Sequence, residues 1–193
     1  MKCTAQTCNK KVTPFIVEKE YAINPQVCDI GDLRSLFGFF QYTAPNTTSY
    51  QCENLENLYH EGLYNEMLRS WKQDVYKIIE SNEPFDKKAS QYVLTGDSVC
   101  SYCKRFVCKR KKTKKGQKES DFDCLMRHIR NSLAHGRVFV IHGGNSIKVM
   151  FEDYDMNNKV VSARIVCNQS DLRKWRTLVK KYIKKQRETT CHN

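Results

Sequence analysis

At 193 residues the chain has room for one compact domain, and its 40% apolar and 11% aromatic side chains suffice to bury a core. The 33 Lys and Arg against 21 Asp and Glu leave a net charge of +12, which repels cations and attracts polyanions, with nucleic acid or an anionic membrane surface as the leading partner classes. The longest apolar run, Leu36-Phe37-Gly38-Phe39-Phe40, is far too short to cross a membrane, and Met1–Gln6 holds no signal core, so a soluble cytoplasmic protein is expected.

In chain order, residues 1–28 carry three cysteines, two prolines and no periodicity, the pattern of an irregular arm preceding a domain over 29–193. Leu33, Leu36, Phe37 and Phe40 predict a short helix between Asp29 and Tyr42, stopped by Ala44-Pro45-Asn46. Leu55, Tyr59, Leu63, Met67, Trp71, Val75 and Ile78-Ile79 recur at spacings of three and four. They predict one long helix from Ser49 to Ser81, kinked near Gly62 and covered by another helix.

Ten cysteines without a secretion signal are expected to stay reduced. Cys100-x-x-Cys103, with Cys108 beyond it, offers half of a tetrahedral zinc site. A second half would have to come from elsewhere, such as Cys3 and Cys8, and ordinary thiols are the better reading. No metal or cofactor is expected.

Residues 103–119 read as a basic loop: between Lys104 and Lys118 there are nine cations and no acid. Such a run is either a solvated, self-repelling surface loop or an arm that neutralises phosphates. Its position just before the most informative helix keeps both readings open; in the second, Lys109, Arg110, Lys111, Lys112, Lys114 and Lys115 would be the phosphate contacts on RNA.

Ser120, with Asp121 and Asp123 in the next turn, marks a helix start, and Gly136 a helix stop just beyond His135. Val138–Ile141, Ile147–Phe151 and Val160–Val166 then predict a three-stranded antiparallel meander. Its connecting turns are His142–Asn145 and Asp153–Asn158. A final helix from Ser170 to Gln186 has Leu172, Trp175, Leu178-Val179 and Tyr182-Ile183 on one face and basic residues over the rest.

On the helix from Phe122 to His135, Phe122, Leu125-Met126, Ile129 and Leu133 share the core face. Arg127, Asn131 and His135 fall opposite, with His128 slightly to one side. Ala134 among these polar residues permits close approach of a second helix, so this face is expected to meet another subunit. The competing reading is an ordinary polar face ending in cations favoured by the helix dipole.

Arg130-Asn131-Ser132-Leu133-Ala134-His135-Gly136-Arg137 resembles the Arg-Asn-x-x-x-His signature of the HEPN domains, the α-helical family found in ribonuclease toxins and antiviral effectors. The order of elements over 30–187 is similar to that of single-domain bacterial or plasmid-borne members, while residues 120–142 carry the specific part. The resemblance implies a mainly α (α+β) fold, an HEPN-like helical bundle with a small three-stranded meander before the C-terminal helix.

It also implies a homodimer with one composite, metal-independent RNA-cleaving site, and a regulatory partner such as an antitoxin. By matching position, Arg130 would contact the scissile phosphate and His135 would be the general acid or base. Asn131 would hold a phosphate oxygen or the imidazole. The ribose 2′-OH would attack, leaving a 2′,3′-cyclic phosphate. Arg127, His128 and Arg137 are candidate auxiliary RNA contacts by geometry.

Arg130 and His135 lie about 140° apart on an ideal helix. Either the arginine curls over, or the last helical turn loosens, or Arg130 works with the His135 of the other subunit. The alternative to an enzyme is a non-catalytic HEPN-type module that binds RNA or nucleotides, or dimerises. A zinc-dependent nuclease or finger ranks last, because the sequence holds no His-x-x-x-His and no second Cys-x-x-Cys.

Overall fold

The protein is described by a computed structural model over residues 12–44, 56–112, 118–143, 146–155 and 159–190. Residues 1–11, with Cys3 and Cys8, and the expected stops and turns at 45–46, 144–145 and 156–158 lie outside the described residues, as do Lys114 and Lys115.

Seven strands and five helices are present among the described residues: β1 (Phe15–Ile16), α1 (Leu33–Gly38), α2 (Glu56–Leu68), β2 (Tyr76–Ile79), α3 (Phe85–Gln91), β3 (Ser98–Val99), β4 (Arg105–Lys109), α4 (Asp121–Ala134), β5 (Val138–Gly143), β6 (Ser146–Asp155), β7 (Val160–Asn168) and α5 (Gln169–Thr190). A π-helical turn, Phe39–Thr43, continues α1.

The centre of the molecule is a five-stranded mixed sheet in the order β2-β4-β7-β6-β5. Strands β2 and β4 are parallel, and every other neighbouring pair is antiparallel. The expected helical bundle with a three-stranded meander is therefore corrected. The meander exists as β5-β6-β7, but β4 pairs along the free side of β7 and β2 along β4.

Two misread segments account for the difference. The apolar stripe expected to continue one helix to Ser81 breaks after Leu68, and its last members enter β2. Val75, Ile78 and Ile79 are spaced by three and four, which fits a helix. The aromatic and β-branched run around them instead fits a pleated surface. The supposed basic loop begins with the central strand β4, in which Arg105, Phe106, Val107 and Cys108 are all buried.

Arg105 explains how a cation enters the sheet. Its guanidinium donates to the carbonyls of Tyr92 (2.7 Å), Cys103 (2.7 Å), Val93 (2.9 Å) and Cys100 (2.8 Å). A fork of donors thus replaces its hydration with four backbone acceptors.

Strand alternation sends side chains to two faces. Phe106, Cys108, Val149, Phe151, Ile165 and Cys167 pack with α1, α2, α4 and α5 in the larger core. Val107, Met150, Val166 and Phe139 pack against Phe15, Val17, Phe85, Ala89 and Val99 on the opposite face. At the heart of the helical layer the Trp71 and Trp175 rings lie 5.7 Å apart, and the Trp175 indole donates to the Met67 carbonyl at 3.0 Å.

The described part of the 1–28 arm contributes to the smaller core: β1 pairs antiparallel with β3, and Phe15 is buried. Its continuation reaches the large sheet, where the Ile23 N–H donates to the Val138 carbonyl at 2.8 Å.

Candidate active site

Helix α4 carries the Arg-Asn-x-x-x-His set. Ser120 caps it as expected, its hydroxyl oxygen accepting from the Asp123 N–H at 3.1 Å. At the other end His135 is the last residue before Gly136, whose φ is +61°. The Gly136 N–H donates to the Leu133 carbonyl (3.3 Å) and the Arg137 N–H to that of Ser132 (2.8 Å), the paired bonds of a Schellman stop. Glycine is required here because the left-handed backbone penalises a Cβ.

The core face is as expected: Phe122, Leu125, Met126, Ile129 and Leu133 are buried. The opposite face differs. Instead of lying open for a second subunit, much of it is covered by the chain's own sheet. His128, expected to project outward, has 0% exposure. Its Nδ1 lies 2.7 Å from Asp153 Oδ2 and its Nε2 2.7 Å from the Lys109 carbonyl. The Asn131 amide donates to the same Asp153 oxygen at 3.1 Å. Asp153 sits where the β6–β7 register shifts, a local kink that aims its carboxylate at the helix.

Arg127 is also engaged. It grips Glu119 with two hydrogen bonds, Nε to Oε1 at 2.7 Å and Nη2 to Oε2 at 2.9 Å, and donates to the Lys109 carbonyl at 2.9 Å. Burial disfavours the charged Glu119, but the Arg127 hydrogen bonds prevail and hold its carboxyl below the ordinary 4.5.

The basic segment divides in a similar way. Lys109 ends β4, and its carbonyl serves Arg127 and His128. Arg110 donates to Glu80 at 3.3 Å and also bonds Asp121 and the Glu119 carbonyl. Lys111 and Lys112 expose their side chains, although the Lys111 N–H binds Glu119 Oε2 at 3.1 Å. Arg137 pairs with the fully buried Glu152, which also binds Arg164, and lies against the Phe139 and Tyr154 rings.

The three signature side chains diverge. Arg130 Nη2 donates to the Ala44 carbonyl at 3.0 Å, on the helical side of α4. Asn131 turns to the sheet, and His135 is exposed at the helix end. The His135 N–H still donates to the Asn131 carbonyl at 2.9 Å, so the last turn has not loosened. Nor does the arginine curl toward the imidazole.

Glu119, Glu152 and Asp153 escaped the sequence reading. The expected strand ends at Phe151 and the expected turn begins at Asp153, which leaves Glu152 in neither, although adjacent acids after an apolar run are what nearby buried cations require.

Cys108, Cys124 and Cys167 are buried, and burial pushes all three thiols upward, so they serve as small core residues. Among the described residues no group of three or more His, Cys, Asp or Glu side chains could hold a metal ion. No helix among them is long and apolar enough to cross a membrane.

The capped helix ending in Arg130-Asn131-x-x-x-His135 carries the set that resembles the HEPN signature, here packed between other helices and a sheet. The family model described as HEPN pEK499 p136 matches residues 52–190, more than half of the chain. The chain belongs to this HEPN family. No curated protein and no solved structure matches it.

Proposed function

We propose that the protein is a metal-independent endoribonuclease whose site is completed by a second copy of the chain. The observation that carries this reading is the divergence of Arg130 and His135 within one chain, one held toward Ala44 and the other exposed beyond an intact helical turn. Two groups that must act on one phosphate then meet across a two-fold axis, where each copy supplies what the other lacks.

The exposed Ala134 beside them leaves room for a neighbouring helix. This face is narrower than the whole 127–135 surface, because Arg127 and His128 are engaged internally.

In this reading the Arg130 guanidinium balances charge on the non-bridging phosphate oxygens during in-line attack. His135 moves a proton at the attacking 2′-OH or the leaving 5′-oxygen. Asn131, fixed by Asp153, orients the phosphate or the imidazole. RNA brings its own nucleophile, so the reaction does not require a metal-bound water.

The test is incubation of the full chain with single-stranded RNA in EDTA, with product ends assayed for 2′,3′-cyclic phosphate. Arg130→Ala and His135→Ala should each abolish cleavage. Mixed after dissociation and reassociation, they should recover about a quarter of wild-type activity, since half the dimers are then mixed and each keeps one of the two Arg130–His135 pairings that the two-fold axis generates. No cleavage by the unaltered chain, or cleavage equal in the variants, overturns the reading and favours a binding module.

A further inference from the structure

Helix α5, outside the signature, concentrates positive charge on the described surface. From Arg173 to Arg187 its sequence contains no acid. Its apolar side is used up in the core, where Leu172, Trp175 and Val179 are buried and Leu178, Tyr182 and Ile183 pack against them. Lys174, Lys180, Lys181, Lys184 and Lys185 are all exposed. At 100° per residue these five ammonium groups fall within an arc of about 140° and span about three turns. Lys174, Lys181 and Lys185 form the row nearest one edge of the arc; within the same helix Arg173 is engaged with Asp32 at 2.9 Å and Lys184 lies 3.8 Å from Glu188.

The stripe also approaches the signature. The Lys180 ammonium sits 5.8 Å above the Phe39 ring. Phe39 begins the π-helical turn, and Ala44, just past its end, supplies the carbonyl that Arg130 binds. One five-residue turn therefore separates the middle of the lysine stripe from Arg130.

We infer that the exposed lysine face of α5 is the rail on which the phosphate backbone of single-stranded RNA is held. A row of flexible point charges neutralises phosphates without reading bases. An anionic membrane fits less well, because surface-lying helices add an inserted apolar face to their charges, and that face of α5 is already buried in its own protein. The inference rests on the nucleic-acid part of the proposed function and not on cleavage.

Binding is measured with a 2′-O-methyl oligouridylate, which lacks the attacking hydroxyl and stays intact, so failure of cleavage and failure of the rail are read separately. The full-length Lys174→Gln/Lys181→Gln/Lys185→Gln variant keeps helix propensity, since glutamine and lysine are nearly equal in it. Circular dichroism and thermal melting check its fold. The slope of log affinity against log salt should become shallower by about 2, with affinity near 0.1 M salt falling about 10- to 100-fold.

A control, Lys72→Gln/Lys77→Gln/Lys87→Gln, removes the same charge from exposed positions elsewhere and should lower affinity much less. Equal losses in the two variants, or no loss in either, overturn the rail. So does tight binding to phosphatidylserine vesicles that the α5 variant abolishes while the oligonucleotide does not bind.

Discussion

His128 of α4 and Asp153 of β6 are joined by a 2.7 Å hydrogen bond, with side-chain exposures of 0% and 2%. Both ring nitrogens of His128 face oxygen acceptors, Asp153 on one side and the Lys109 carbonyl on the other. The pair joins the signature helix to the sheet and, through the shared Asp153 oxygen, fixes the Asn131 amide.

Replacing His128 by alanine removes the ring that a buried carboxylate and the Lys109 carbonyl both face. A loss of about 3 kcal/mol or more is expected in denaturant unfolding. In a double-mutant cycle with Asp153→Asn the two effects should be strongly non-additive. Additive effects would mean that the two groups do not act as a pair.

Glu119 gives a pH dependence of known sign. Its folded carboxyl is held below its ordinary value by Arg127, so its stabilisation is fully present above about pH 5 and is lost as pH falls through the lowered value. Glu119→Gln should be less stable than the unaltered chain by about 2 kcal/mol at neutral pH. That gap should shrink in melts below about pH 4. A gap constant from pH 7 to pH 3 would contradict the assignment.

Gly136 is open to a Cβ on steric grounds, with no neighbouring atom within 4 Å, but its φ of +61° is not. Gly136→Ala should therefore cost about 1 kcal/mol through the backbone alone. It should also displace the adjacent His135, so cleavage should fall more than stability does. A fully active, less stable variant would show that the turn does not position the imidazole.

His135 and Arg137 separate surface chemistry from architecture. His135→Ala removes an exposed side chain and should shift unfolding by less than about 0.5 kcal/mol while abolishing cleavage. Arg137→Ala removes a partner of the fully buried Glu152 and should cost about 2 to 3 kcal/mol. Comparable melting temperatures for the two variants would refute this division.

The signature helix was legible because cap, core stripe and stop agree: Ser120, the Phe122-to-Leu133 face and Gly136 each mark one part of it. The meander was legible for the same reason, its β-branched runs being separated by turn residues. Strand β4 was not, because Arg105 and Lys109 flank only three apolar residues, and the four carbonyls that neutralise Arg105's solvation cost come from residues 92–103. Nor was the burial of His128, since a helical wheel shows direction but not whether a sheet lies in that direction. Asp153 is remote in sequence, and only the β6–β7 pairing carries it to the helix.

The bond from the Ile23 N–H to Val138 bears on what can add to one rim of the sheet. Strand β5 ends the sheet, and its outward N–H and C=O groups would otherwise offer a template to any extended peptide. By laying Ile23 across the first residue of that strand, the N-terminal segment works as a selvedge at one corner of the border, closing that end of the edge to an added strand.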